Sequence, residues 1–147
     1  MARRKPLFVE PLALGTIASG DAVAGFPATN AGYIEDMGLV WKTDSAGTPW
    51  IRGDLGSAKD IDFCAVIAAS TQPGATVQLR VGNSSGDLDT GAVYDSGFVP
   101  IDPVGITPRS GLYHWFFELP ALQTRRWWRV MFNNSAQPFS IATIILG

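Results

Sequence analysis

The sequence predicts an all-β fold, an antiparallel β-sandwich or jelly roll. Several segments alternate apolar and polar residues, which is the pattern of strands that bury one face. Sixteen glycines and ten prolines are scattered along the 147 residues, as is typical of many short strands joined by turns. No segment predicts a long amphipathic helix. These features together favour two packed antiparallel sheets.

The composition indicates one folded domain. Hydrophobic residues make up 46% of the chain and charged residues 16%, which excludes a disordered polypeptide. The formal net charge is −2, so the protein has no general attraction for nucleic acid or for anionic lipid. Every apolar run is shorter than the roughly 20 residues that a membrane-spanning helix needs. We therefore expect neither a nucleic acid nor a membrane as a partner.

The first part of the chain differs from the rest. Residues 1–30 contain three prolines and show little periodicity. We predict that they form an extended N-terminal arm and that residues 31–147 form the sandwich domain. The arm carries apolar side chains, among them Phe8 and Leu12, whose exposure to water is unfavourable. We expect these two residues to contact another subunit.

Strand patterns become clear at Trp50. Residues 50–62 predict a strand, a tight polar turn at Asp54-Leu55-Gly56 and a second strand. Asp54 is expected to accept hydrogen bonds within this turn. The apolar run from Phe63 to Ile67 predicts a strand that is buried on both faces.

The later segments complete the predicted sheets. Residues 76–81, 112–119 and 126–132 alternate, and residues 139–146 are rich in β-forming side chains. Alternation predicts which side chains of these strands face inward. Together with the inward-facing side chains of the strands before and after the Asp54-Leu55-Gly56 turn, they form one core. That predicted core consists of Trp50, Leu55, Phe63, Ile67, Val77, Leu79, Val81, Trp128, Val130 and Phe132.

The order of several motifs resembles that of the discoidin (coagulation-factor type C) and galactose-binding-like β-sandwiches. An aromatic residue ends the Asn/Gly-rich segment Asn30-Ala-Gly-Tyr33, and Trp41 follows. Trp50 then leads into the Asp54-Leu55-Gly56 turn, and the strands described above come after it. The resemblance implies a galactose-binding-domain-like sandwich.

A narrower set of motifs resembles the version of this domain in tailed-phage and prophage virion proteins. It comprises Val93-Tyr94-Asp95-Ser96-Gly97, His114-Trp115 and Arg126-Trp127-Trp128-Arg129. The resemblance implies a small structural protein of a virion, synthesised and assembled in the host cytoplasm. Its implied partners are copies of itself and other virion proteins.

No arrangement of residues indicates catalysis. Ser110 and His114 could belong to a Ser-His-Asp triad, but no Gly-x-Ser-x-Gly motif accompanies them. Asp87 and Asp89 lie in a short turn rather than across a cleft, as a glycosidase would require. One histidine and one cysteine are too few ligands for zinc. We expect no enzyme activity, cofactor or metal, a surface position for His114, and a buried, inert thiol at Cys64.

The resemblance also implies where a ligand would bind, because related sandwiches use loops at one end of the barrel. The corresponding loops here are residues 33–38, 43–48 and 83–90, and they hold one aromatic residue and no arginine. We therefore predict no monosaccharide binding tighter than about 1 mM, or about −4 kcal/mol. The 83–90 loop could also offer oxygen ligands to calcium, although a plain polar loop is the favoured interpretation. The candidate ligand residues are Tyr33, Asp44, Asn83, Asp87 and Asp89.

Trp127 is the tryptophan that alternation leaves on an outer face. Because Arg126 and Arg129 flank it, it could stack on a sugar ring. Trp and Arg are also common in protein interfaces. We favour a subunit interface that includes these three residues.

Two functions compete on these observations. The favoured hypothesis is a non-catalytic structural protein of a tailed bacteriophage or prophage-derived particle, which assembles in multiple copies on a tail or capsid. The alternative is a carbohydrate-binding module that recognises a host-surface glycan.

Overall fold

The computed structural model describes residues 10–20, 22–33, 35–36, 38–43, 48–102, 110–133 and 139–147. Its described strands pair antiparallel, which confirms the predicted all-β class. Phe8 and Asp44 lie outside the described residues. The elements in chain order are β1 (Thr16–Ser19), the 3₁₀ helix η1 (Ala28–Gly32), β2 (Trp41–Lys42), β3 (Trp50–Ala69), β4 (Thr76–Gly82), α1 (Asp87–Thr90), β5 (Tyr94–Asp95), β6 (Val99–Pro100), β7 (Tyr113–Asn133), β8 (Ser140–Ile141) and β9 (Thr143–Leu146).

Strands β3 and β7 pair with each other in both layers of the sandwich. The first layer has the order β1, β3, β7 and β4, with β5 and β6 paired to β4. It uses the first half of β3 and the second half of β7. The second layer consists of β9, the second half of β3 and the first half of β7. Side chains from both halves share one buried cluster, so the two halves face each other.

The chain turns between the layers where the β3–β7 register breaks after Asp54. Gly56 has a φ of +77°, a left-handed conformation that glycine adopts without steric strain. The Gly56 N–H donates to Asp54 Oδ1 at 2.9 Å, which confirms the predicted role of Asp54 in the turn. Arg126 also donates two hydrogen bonds to the Asp54 carboxylate, at 2.6 and 2.8 Å. This bidentate ion pair joins β3 to β7 at the corner.

Aromatic side chains fill much of the core. Phe132 packs against Trp41 and Phe139, with ring centroids 6.3 and 5.2 Å away. The indole N–H of the fully buried Trp128 donates to the Leu14 carbonyl at 3.2 Å. The predicted inner faces of β4 and of the second half of β7 are therefore confirmed: Val77, Leu79, Val81, Trp128, Val130 and Phe132 are all buried.

The predicted inner face of β3 is partly wrong. Ile51 is fully buried, so Trp50, one position earlier, lies half-buried on the outer face. A second register break between Ile61 and Phe63 exchanges the two faces again. Phe63 is consequently buried beneath Phe116 on the outer side of the second layer, with ring centroids 6.4 Å apart.

Two further core predictions are only partly met. Ile67 lies on the same outer side as Phe63 and is half-buried. Leu55 is half-buried but packs against the core as predicted.

Residues 10–20 and 22–30 belong to the sandwich, so they do not form the extended arm that was predicted for residues 1–30. Strand β1 pairs with β3, and Leu14 is buried in the core. Helix η1 closes the side of the sandwich between β1 and β9, where the Thr143 hydroxyl donates to the Ala31 carbonyl at 3.1 Å. The weak periodicity arose because this segment contributes single buried residues rather than one long strand.

We predict that Trp128→Ala lowers the free energy of unfolding by about 3–5 kcal/mol, because it leaves a cavity and removes a hydrogen-bond donor from Leu14. Denaturant titration measures the change. Trp127→Ala is the matched control, since Trp127 is only half-buried and its removal opens no enclosed cavity. Equal losses in the two variants would contradict the assigned inner face.

We also predict that the Arg126–Asp54 pair makes stability depend on acid pH. Hydrogen bonds from the Arg126 side chain, aided by the Gly56 N–H, lower the pKa of Asp54. The stability that the ionised Asp54 contributes is therefore fully present above the usual aspartate pKa of about 4. It is lost as the pH falls through the lowered pKa of Asp54. Asp54→Asn should destabilise the protein at neutral pH, and the difference from wild type should shrink in acid.

Thermal melts across this pH range test the second prediction. Asp62→Asn is the control, because the exposed Asp62 forms no ion pair among the described residues. A difference between wild type and Asp54→Asn that did not change with pH would contradict the prediction.

Candidate functional site

A groove lies on the side of the sandwich opposite η1. On that side, β6 forms part of the edge of the first layer and the first half of β7 forms the edge of the second. The groove between them has a volume of about 450 Å³. Its lining is mainly apolar and consists of Val99, Pro100, His114, Trp115, Phe116 and Phe117.

The aromatic side chains of β7 give this groove a rigid wall. Trp115 and Phe117 stack with their ring centroids 5.2 Å apart and an interplanar angle of 9°. The ring of Tyr94 in β5 packs near that of Phe117, with ring centroids 6.4 Å apart. This contact joins the two layers. Phe116 faces the opposite way, and 64% of it is exposed. The Phe116 ring is therefore exposed to solvent, although its neighbours Trp115 and Phe117 are packed against each other.

His114 is the polar side chain of the groove, and its orientation is set by the backbone. The Ala68 N–H donates to His114 Nδ1 at 3.2 Å. Since Nδ1 accepts, the proton of the neutral ring resides on Nε2, which is then free to donate. His114 is exposed, as predicted.

The backbone at Ala68 is strained in a way that serves this contact. Ala68 has a φ of +55°, which for a residue with a Cβ costs about 1 kcal/mol or more. It lies in the register break of β3 between Val66 and Ala69, and its N–H is thereby free to reach His114. Strain of this kind is concentrated at ligand-binding sites.

The residues that line the groove include one side chain with acid–base chemistry, His114. None of the six is a carboxylate, hydroxyl or thiol residue. Ser110 accepts a hydrogen bond from the Leu112 N–H at 3.3 Å and makes no hydrogen bond to His114 among the described residues. Burial raises the pKa of the Cys64 thiol, so this thiol stays protonated. The groove thus offers an apolar ring and a directed N–H donor.

The candidate ligand residues predicted from the loops do not come together. Tyr33 is 55% exposed and lines a separate cavity of about 340 Å³ with Leu12 and Glu35. Asn83 follows the end of β4 at Gly82, which pairs with Trp127. Strand β3 instead begins at Trp50, which pairs with Met131.

Asp87 and Asp89 are engaged in local structure. Asp87 accepts hydrogen bonds from the Ser84 hydroxyl at 2.7 Å and from the Asn83 N–H at 2.8 Å. These hydrogen bonds lower the pKa of Asp87, and the one from the Ser84 hydroxyl has the largest effect. Asp89 forms an ion pair with Arg129. Within the described ranges, no group of three or more His, Cys, Asp or Glu side chains could hold a metal ion.

The predicted interface residues are also dispersed. Leu12 packs against the core, and its N–H donates to the Leu146 carbonyl at 2.8 Å. Arg126 is engaged by Asp54 and lies 5.9 Å from the Trp127 ring centroid.

Arg129 is the clearest correction among the predicted interface residues. It is only 5% exposed, because α1 covers it and receives its hydrogen bonds at the Leu88 carbonyl and Asp89. It therefore cannot present its guanidinium to another subunit in this conformation.

Sequence reasoning missed Phe116, Val99 and Pro100. One signal was present, since Phe116 shares the exposed face of its strand with His114 and Glu118. A large apolar side chain among polar residues on an exposed face indicates a contact surface. The contribution of β6 had no signal, because only the tertiary structure places it beside β7.

The described residues include no helix that is long and apolar enough to cross a membrane. No protein-family model matches the chain, and no curated protein does.

Several solved structures share the fold. The lectin domain of lectinolysin, complexed with Lewis B antigen, is 16% identical, with a TM-score of 0.69 over 96% of this chain and 98% of that one. The family 32 carbohydrate-binding module of NanJ from C. perfringens, in complex with galactose, is 12% identical, with a TM-score of 0.67 over 89% and 91%. Chitosan-binding module 1 from a Paenibacillus chitosanase/glucanase is 21% identical, with a TM-score of 0.63 over 95% and 99%. The chain therefore has the galactose-binding-like β-sandwich fold.

Proposed function

We propose that the protein is a non-catalytic carbohydrate-binding module that holds a neutral sugar residue in the groove between β6 and β7. The observation that carries this proposal is the pairing of the exposed Phe116 ring with the directed His114 Nε2 donor. This choice reverses the order of the two functions expected from the sequence. Binding of galactose and Lewis B antigen by proteins of the same fold supports the reversal.

The chemistry of the groove matches that of a sugar. A pyranose presents an apolar face of C–H groups, which packs well on an aromatic ring, and hydroxyls that accept hydrogen bonds at its rim. Phe116 would contact the apolar face and His114 would donate to one hydroxyl. Val99 and Pro100 would form the opposite wall. No charged side chain lines the groove to compensate a charged sugar, so a neutral one is favoured.

The proposed affinity is low for a single sugar. One exposed ring and one polar side chain form few contacts, and a dissociation constant of about 1 mM corresponds to only about −4 kcal/mol. This agrees with the weak monosaccharide binding predicted from the sequence. A polymer that presents repeated sugars would bind more strongly through multivalency.

Ligand-observed NMR with galactose, glucose, fucose, sialic acid and short neutral oligosaccharides tests the proposal. We predict that Phe116→Ala and His114→Ala each weaken binding of the preferred neutral sugar by about tenfold, or about 1.4 kcal/mol. Leu122→Ala is the matched control, because Leu122 is 57% exposed and lies outside the groove.

Two results would contradict this assignment. Binding that survives Phe116→Ala would place the sugar elsewhere. Binding that is lost in Tyr33→Ala but not in Phe116→Ala would move it to the cavity beside Leu12.

A second candidate function is assembly of identical copies in a phage or prophage-derived particle. The observation in its favour is the apolar outer side of the second layer. Ala65 pairs with the exposed Phe116 and with the half-buried Ile145. Buried Phe63 and half-buried Ile67 flank this pair. Such a surface suits contact with another subunit.

The two candidates differ in a measurable way. Mass photometry that shows a discrete oligomer, dissociated by Phe116→Glu, together with no bound glycan, would favour assembly. A monomer that binds a neutral glycan would favour the carbohydrate-binding module.

A further inference from the structure

Three arginines lie side by side on the outer face of the first layer. Arg129 of β7 pairs with Arg52 of β3 on one side and with Arg80 of β4 on the other. Directly opposed residues in antiparallel strands have Cβ atoms about 4.5–5.5 Å apart, and like charges there repel. The row therefore requires compensating negative charge.

Two of the three guanidinium groups have it. Arg80 pairs with Asp95 at 2.8 Å and donates to the Leu88 carbonyl at 3.0 Å. Arg129 pairs with Asp89 and also donates to Leu88. Even so, Nε of the buried Arg129 has no acceptor. One hydrogen-bond donor of the central arginine is thus unused.

Arg52 has no acidic partner within the part of the chain that the structure describes. It is half-buried, and its guanidinium lies 5.0 Å from the centroid of the Trp50 ring. Stacking on an indole holds the plane of a guanidinium while leaving its N–H edge available. Arg52 is therefore a positioned donor without an acidic partner among the described residues.

The neighbouring side chains complete a shallow surface next to Arg52. Trp50 pairs with Met131 in the adjacent strand, and both are half-buried on this same face. Among the described residues, Asp95 and Asp89 pair with Arg80 and Arg129, and no ion pair includes Arg52. A planar guanidinium edge binds a carboxylate through two parallel hydrogen bonds.

We propose that Arg52, positioned by Trp50, forms a second ligand subsite that takes the carboxylate of an acidic sugar residue. The carboxylate receives two N–H bonds from Arg52. Met131 contacts the apolar part of the sugar. This subsite shares no residue with the groove between β6 and β7, so either site can fail without the other.

Titration calorimetry with a matched pair of probes tests the subsite. The probes are trigalacturonic acid and its fully methyl-esterified form, which differ in carboxylate charge and hydrogen-bonding capacity. We predict that the wild-type protein binds the acid about tenfold more tightly than the ester. We expect Arg52→Gln to remove this preference. Arg52→Lys keeps the charge but loses the two-bond geometry, and it should lose a measurable part of the preference.

Two controls make the test specific. Lys59→Gln removes an exposed cation outside this row and should retain the preference for the acid. Leu122→Ala should retain it too, because the exposed Leu122 lies outside the groove and outside the arginine row.

The proposal is overturned if wild type binds acid and ester equally, or if Arg52→Gln and Arg52→Lys both keep the full preference. It is also overturned if Lys59→Gln loses as much as Arg52→Gln, which would show non-specific charge attraction. Loss of the preference in Phe116→Ala would place the acid in the groove instead.

Discussion

The structure depends on the antiparallel pairing of β3 with β7. Both strands pass from one layer to the other, so the two sheets are made from one continuous pair rather than from separate hairpins. Strands β1, β9 and β4 pair directly with β3 or β7, and β5 and β6 pair with β4. The corner is possible because the register breaks after Asp54 and because Gly56 adopts a left-handed conformation. The Arg126–Asp54 ion pair holds the strands together where the ladder is interrupted.

The same pair determines which parts of the molecule remain available to ligands. Helix η1 fills the side between β1 and β9, whereas the opposite side retains a groove between β6 and β7. A further register break in β3 gives Ala68 its unusual backbone conformation and turns its N–H towards His114. The irregularities of β3 thus both close the fold and orient a polar group at the groove.

On the outer face of the first layer, aspartates from neighbouring segments pair with closely spaced arginines. Two arginines at the same register, Arg80 and Arg129, are neutralised because the chain after β4 folds back as α1 and β5 and brings Asp89 and Asp95 over them. Among the described residues, Arg52 of β3 has no acidic partner, and its guanidinium lies beside the Trp50 ring. Arg129 is thus buried beneath α1, whereas Arg52 is half-buried.

Alternation in the sequence was sufficient to identify the all-β class and the inner faces of β4 and the second half of β7. Those segments keep one register throughout, so a period of two maps directly onto two faces. It assigned Phe63 and Ile67 to the wrong face, because a register break exchanges the faces of a strand without leaving a clear mark in the sequence. Trp50 lies before the first register break and is on the outer face because its neighbour Ile51 faces the core.

The candidate sites could not be predicted from the sequence for a related reason. His114 was expected at the surface from alternation alone, but its contact with Ala68 spans 46 positions along the chain. The groove also needs β6, and the arginine row needs three strands that pair only in the folded protein. The sequence by itself therefore determined the apolar faces of the strands that keep one register. The tertiary structure alone decided which side chains meet, because long-range strand pairing sets the neighbours of each residue.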